Sequence, residues 1–283
     1  MHKRGGGQVP LKVICVAKEP IEQLAYTTAS SGSQGVSYDY LPIYLGEMVG
    51  LPDEVDAMIV TSDLQGIAGH GLYENRSPRL IGEELPEMLV LLMESILPQF
   101  DPERVVVLLC GDLFGDPAKR GSSGDPLPVW EAFHQHFGTV LGVAGNHDLF
   151  TAEGEAWLKA TSGVNLYTEP KIATFCGMSV AGLGGVIGRA DKPNRMPEEK
   201  YLDTLQKLLH RGPQVLMLHQ GPDFPGQGLP GHAGMRQRVE TVPPLLICCG
   251  HVHWEQAIAE LESGTQVINA DGRVLVFTAA AID

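Results

Sequence analysis

Val140-Leu-Gly-Val-Ala-Gly-Asn-His-Asp148 passes from an apolar run, through Gly145, straight into three polar residues. The pattern recurs along the chain. Ala57-Met-Ile-Val60 leads to Thr61-Ser62-Asp63-Leu64-Gln65, and Val105-Val-Val-Leu-Leu109 leads to Gly111-Asp112. Val215-Leu-Met-Leu218 leads to His219, and Leu245-Leu-Ile-Cys-Cys249 leads to Gly250-His251-Val252-His253. Short apolar runs of this kind read as buried strands. Oxygen donors and imidazoles at strand ends are how an α/β protein builds a metal site in a crevice.

Working outward, helices are expected over Pro86–Gln99, Leu127–Phe137, Ala152–Lys159 and Glu198–His210. Strands are expected over Leu11–Ala17, Val164–Tyr167, Ile172–Phe175 and Met178–Leu183. A short helix is expected over Glu19–Ala29 and a second from near Leu41, on either side of a Ser/Gly-rich turn at 30–35. Residues 114–128, 184–195 and 221–234 read as Gly/Pro-rich loops. The end of the chain reads as an antiparallel meander over Glu255–Ala259, Thr265–Asn269 and Val274–Ala279. Strands alternating with helices favour an α/β fold.

The chain has 283 residues, enough for one large domain. We expect a disordered tail over residues 1–10 and a single domain over 11–283, with residues 11–55 an added N-terminal sheet edge. Its net charge of −14 argues against general binding to nucleic acid or an anionic membrane. No apolar run reaches the length of a membrane-spanning helix. Five cysteines, mostly inside apolar runs, read as reduced thiols of a cytoplasmic protein. Cys248 and Cys249 are adjacent in a strand, so their side chains should face opposite ways.

In order and context the five islands resemble the calcineurin-like metallophosphoesterase superfamily. That pattern is Asp-x-His, Gly-Asp, Gly-Asn-His-Asp/Glu, His, Gly-His-x-His. The resemblance runs from about Asp56 to the C-terminus. Six of the seven expected ligands match, and Gln65 stands where most members carry His. The first strand of many members delivers the first metal carboxylate. Here that strand ends in Ala17-Lys18, so Asp63 at the end of the second takes the role.

The resemblance implies a four-layer αββα sandwich, two mixed β-sheets flanked by helices. It implies two divalent metal ions. The first would be held by Asp63, Gln65, Asp112 and His253, and the second by Asp112, Asn146, His219 and His251, with Asp112 bridging. The neutral amide oxygen of Gln65 is a harder donor than imidazole and favours manganese over zinc, with iron, zinc, cobalt and nickel as the alternatives to manganese. The alternative reading of Gln65 is a bystander beside a fractionally filled site. The implied reaction is metal-hydroxide attack on a phosphodiester or diphosphate of a small molecule, with His147 as general acid. Asp148 either orients the His147 ring or is a turn residue. Arg189 and His70 are candidate contacts to substrate phosphate, against the plainer reading of solvated loop residues. A phosphomonoesterase, a protein phosphatase, a nuclease and a non-catalytic scaffold remain the alternatives.

Overall fold

The computed structural model describes residues 9–30, 35–69, 79–97 and 100–280. Among the described residues up to Val49 there are three strands and no helix: β1 (Lys12–Val16), β2 (Glu22–Ala29) and β3 (Val36–Val49). The helices expected over Glu19–Ala29 and from Leu41 are therefore strands. Ile21, Leu24 and Ala25 have helical spacing, but Tyr26, Thr27 and Thr28 favour a pleated surface. The antiparallel pairing of β2 with β3, from Glu22 opposite Ile43 to Ala29 opposite Val36, satisfies both backbones.

There follow β4 (Ala57–Ser62), β5 (Ile67–Ala68), α1 (Ile81–Ile96), β6 (Val105–Leu109), α2 (Leu127–His136), β7 (Thr139–Gly142), α3 (Ala152–Ala160) and β8 (Val164–Leu166). The helix α1 starts a turn before Pro86, which lies buried inside it. Its start is set by Glu83, whose Oε1 accepts from Leu80 N at 2.6 Å.

The second half holds β9 (Ile172–Phe175), β10 (Met178–Leu183), β11 (Val186–Ile187), β12 (Arg195–Met196), α4 (Glu198–Leu209), β13 (Val215–Gln220), α5 (Ala233–Thr241), β14 (Leu246–Gly250), β15 (Ile258–Glu260), β16 (Gln266–Asn269) and β17 (Arg273–Ala279). The expected terminal meander is not formed. β15 and β16 pair antiparallel, but β17 crosses to the other sheet, between β3 and β4.

Among the described residues the first sheet runs β5-β2-β3-β17-β4-β6-β7-β8, with β1 also on β3. The second runs β15-β16-β14-β13-β10-β9. The side-chain period of two makes each central strand serve two cores. In β4, Ala57 and Ile59 face the helices α1 and α2, while Met58 and Val60 face the second sheet. β6 divides in the same way, with Val105, Val107 and Leu109 on one side and Val106 and Leu108 on the other. β14 puts Leu246 and Cys248 between the sheets and Ile247 and Cys249 under α4 and α5. Three apolar layers thus separate four structural layers, the αββα order. Each fully buried Leu, Ile or Val contributes roughly 1.5–3 kcal/mol before the entropy of ordering is counted. The parallel strands β4, β6 and β7 of one sheet and β13 and β14 of the other end close together, and the polar islands follow those ends.

Candidate metal centre

Glycine decides how closely these ends approach. A Cβ on Gly145 would lie 2.0 Å from Asp112 Oδ1. One on Gly250 would lie 2.1 Å from Ser62 Oγ and 2.3 Å from Asp63 Oδ2. One on Gly111 would lie 2.5 Å from Gly145 N and 2.8 Å from His219 Nδ1. Backbone at these three positions takes space that any side chain would fill. Asp63, Asp112 and His251 meanwhile adopt φ of 56°, 52° and 71°. Left-handed backbone in a non-glycine residue is costly and is held only where its surroundings over-determine it.

Asp112, His219 and His251 offer ligand atoms that lie within 4.8 Å of one another. His219 Nδ1 lies 2.8 Å from Cys110 O, so Nδ1–H donates to that carbonyl and Nε2 is left with its lone pair. His219 is fully buried, yet Nε2 has no hydrogen-bond partner, and neither has the buried Asn146 Oδ1. His219 Nε2 faces Asp112 Oδ2 at 3.3 Å, an acceptor opposite an acceptor. Such a pair needs a cation between its members. Without a metal, a proton serves. Burial alone would depress His219, but the charge and hydrogen bond of Asp112, with Asp63, raise it to about 9. Burial also opposes ionisation of Asp112, yet His219 and the His147 N–H, 2.7 Å from Oδ1, hold its carboxyl below the ordinary value. Burial, and then the positive His219, push His251 down to about 4, so that ring is neutral and free to bind. Burial pushes the Asp63 carboxyl well up. Orphaned acceptors and a carboxylate-imidazole donor set fit divalent metal ions.

The structure places the other predicted residues less uniformly. Asp63 Oδ2 accepts from His251 N at 2.8 Å and lies 2.7 Å from Ser62 Oγ. Gln65 follows on a backbone pinned by Thr28 Oγ1, which donates to its carbonyl at 3.1 Å. His253 is largely exposed, and its Nδ1 lies 3.2 Å from Asp271 Oδ2. His147 stands beside the centre, its backbone N–H on Asp112 and its Nδ1 3.1 Å from Ser123 Oγ. With the hydroxyl donating to Nδ1, the neutral ring carries its proton on Nε2.

Asp148 does not orient His147. Its side chain is 1% exposed and accepts three backbone N–H bonds, from Asp112 and Gly145 to Oδ2 at 2.8 Å each and from Leu113 to Oδ1 at 2.9 Å. Burial and the nearby Asp112 raise its carboxyl to about 6, while the Gly145 and Leu113 N–H groups oppose the rise. It is a brace between the loops after β6 and β7. Arg189 is also elsewhere: it is exposed and makes a bidentate pair with Asp191 at 2.6 and 3.0 Å. The fork is spent on its neighbour. His70 lies outside the described residues.

Four residues escape the sequence reading. Ser123 comes from the loop 114–128 and Asp271 from the turn before β17. Arg273 Nη2 lies 3.2 and 3.3 Å from the two ring nitrogens of His253. Asn194, at φ 49°, donates through Nδ2 to Gly145 O at 2.9 Å and Asp148 O at 2.6 Å. The one available signal was its place in the Gly-rich loop 184–195, where attention falls on the basic residues.

The family model for calcineurin-like phosphoesterase matches residues 58–255. The chain belongs to that family, whose members are metal-dependent hydrolases of phosphoesters. Among solved structures it is similar to TT1561 of Thermus thermophilus, at 15% identity and a TM-score of 0.49, over 77% of this chain and 90% of that one. It is also similar to the phosphopantetheinyl hydrolase of Mycobacterium tuberculosis, at 12% identity and a TM-score of 0.42, over 75% of this chain and 88% of that one. A 5'-nucleotidase precursor from Thermus thermophilus matches at 12% identity and a TM-score of 0.41, over 76% of this chain and 48% of that one. No curated protein matches the chain. Among the described residues no helix is long and apolar enough to cross a membrane.

Proposed function

We propose that the chain hydrolyses a phosphodiester or diphosphate of a small molecule at a manganese-favouring dinuclear centre. The observation that carries the metal is the facing pair His219 Nε2 and Asp112 Oδ2, with Asn146 Oδ1 orphaned beside them. Asp112, Asn146, His219 and His251 would hold one ion, and Asp63, Gln65, Asp112 and His253 the other. Divalent ions so held activate water at neutral pH and offset phosphate charge.

The remaining chemistry belongs to the side chains. His147 is fixed through its own backbone to Asp112, so its ring stays next to the metal carboxylate. In the tautomer that Ser123 supports, Nε2–H can pass its proton to the leaving oxygen as the P–O bond breaks. An alkoxide leaving group needs that proton, so His147 suits an ester with a poor leaving group, and a small-molecule diester is the form we favour. Asn194 and Asp148 hold the loop that carries Asn146 and His147.

The test is hydrolysis of bis-p-nitrophenyl phosphate against p-nitrophenyl phosphate with Mn2+, with Asp112→Asn as background. Faster turnover of the diester, lost in Asp112→Asn, is the expected result. Preference for the monoester would point instead to a phosphomonoesterase or protein phosphatase.

A further inference from the structure

The guanidinium of Arg273 rests on the face of the His253 ring, with Nη2 3.3 Å from Nδ1 and 3.2 Å from Nε2, and Nη2 donates to Trp254 O. Nε has one long contact, 3.5 Å to Asp271 O. Nη1 has no hydrogen-bond partner among the described residues, yet it is not closed off from solvent. It therefore opens onto the cavity of about 380 Å3 that Arg273 lines. The residue is 5% exposed and forms no ion pair among the described residues. Burial pulls the guanidinium below its ordinary value, against the opposing pull of Tyr44, Asp271 and Glu255. A buried charge is as a rule paired. Here the protein brings no carboxylate into contact with it.

The other walls of the cavity suit an anion at that nitrogen. The first strand, which delivers no metal carboxylate, leads to Lys18, an exposed cation on the cavity wall with no ion pair among the described residues. Tyr44, half-buried on β3, brings a hydroxyl that forms no hydrogen bond among those residues. Two further polar walls are already engaged. Gln266 accepts from Val13 N at 2.7 Å and donates to Val13 O at 3.0 Å, and Gln256 donates to Gln227 Oε1 and Ile258 O. Glu255 is the single acidic wall, and it is exposed. Two cations thus face one carboxylate, and the more deeply buried cation is the unpaired Arg273.

We infer that this cavity binds an oxyanion, the phosphate or carboxylate group of a small molecule, through Arg273 Nη1 with Lys18 and Tyr44. Its volume leaves room for an organic part beside the acidic group. A guanidinium edge matches the geometry of either oxyanion. None of the candidate metal ligands lines the cavity, so the site goes beyond the metal-centre reading and does not depend on it. The acidic group belongs either to a free small acid or to a second charged end of the substrate, since the chemistry recognised is the same.

The experiment titrates the chelator-stripped full chain with inorganic phosphate and follows the heat of binding. Arg273→Gln should weaken phosphate binding roughly tenfold or more, as loss of a charge-assisted donor requires. Lys18→Gln should weaken it roughly threefold and Glu255→Gln should tighten it by about as much, the opposite signs that Coulomb's law imposes. Asp112→Asn should leave it unchanged. Absence of saturable binding, binding that the three cavity variants do not move, or binding lost in Asp112→Asn would each overturn the proposal, the last by placing the phosphate at the metal centre. Circular dichroism checks folding of Arg273→Gln. Should it not fold, the two exposed positions decide, through the opposite shifts of Lys18→Gln and Glu255→Gln. The Mn2+-loaded enzyme then tells the two sources apart. If the group is the substrate's own, Lys18→Gln raises KM for a p-nitrophenyl phosphodiester that carries a carboxylate and spares bis-p-nitrophenyl phosphate. If it is a free acid, KM for the two esters moves together.

Discussion

His147 and Asp148 are neighbours with opposite duties. The His147 ring is partly exposed and held by one side-chain contact, to Ser123. Replacing His147 with Ala should lower turnover of an ester with a poor leaving group by about 10²–10⁴, the usual worth of a general acid. An ester with an activated leaving group should be spared, and bound Mn2+ should not change. Equal losses on both esters would show that His147 does something other than donate a proton. Asp148→Ala should instead be a folding lesion. It leaves three buried N–H groups unpaired, at about 1–3 kcal/mol each, and thermal unfolding would register the loss with or without metal. Most candidate metal ligands were legible because their chemistry is visible in their type and place at a strand end. The brace was not, because accepting backbone hydrogen bonds leaves no pattern in a sequence. Nor could sequence show that Arg189 turns to Asp191 or that Arg273 reaches His253 from a strand in the other sheet.

At the scale of elements, the fully buried strands were legible from their unbroken apolar runs, and α4 from its amphipathic spacing. The N-terminal region was not. Residues 19–29 carry apolar spacing compatible with a helix, and their strand state is decided by partners elsewhere in the chain, β3 and beyond it β17. The helix α5 was missed because its apolar face is small, with only Met235 and Val239 buried. The placement of β3 can be tested at Gly46, where a Cβ would lie 2.7 Å from the fully buried Phe277 ring. Gly46→Ala should cost about 1–3 kcal/mol, measured by denaturant unfolding, because the ring has no free space to move into. Were this segment a solvent-facing helix, the same change would stabilise it slightly.

At the scale of the molecule, the centre joins the two sheets, so its charge state bears on the stability of the whole. In metal-free protein His219 sits at about 9 against an ordinary 6.5. A group raised in this way stabilises the fold fully below 6.5 and loses that contribution as pH climbs through about 9. Asp148, raised from 3.8 to about 6, has the same sign in a lower window, present below 3.8 and lost as pH passes 6. A metal held at the proposed centre would replace the His219 proton and remove the dependence. Thermal unfolding should therefore show stripped protein losing stability between pH 6.5 and 9, by a few kcal/mol, while the gap to Mn2+-loaded protein widens. A constant gap would mean that His219 does not share its lone pair with the metal. The passage of β17 between β3 and β4 has a consequence of another kind, for the order of synthesis. Thr61 Oγ1 donates to Arg273 O across 212 residues. A ribosome that has finished β4 must still make most of the chain before the strand that seals it exists. Until then the inner edges of β3 and β4 stand open, so this sheet closes late in translation, and a nascent chain stalled short of residue 273 is the form a chaperone should find.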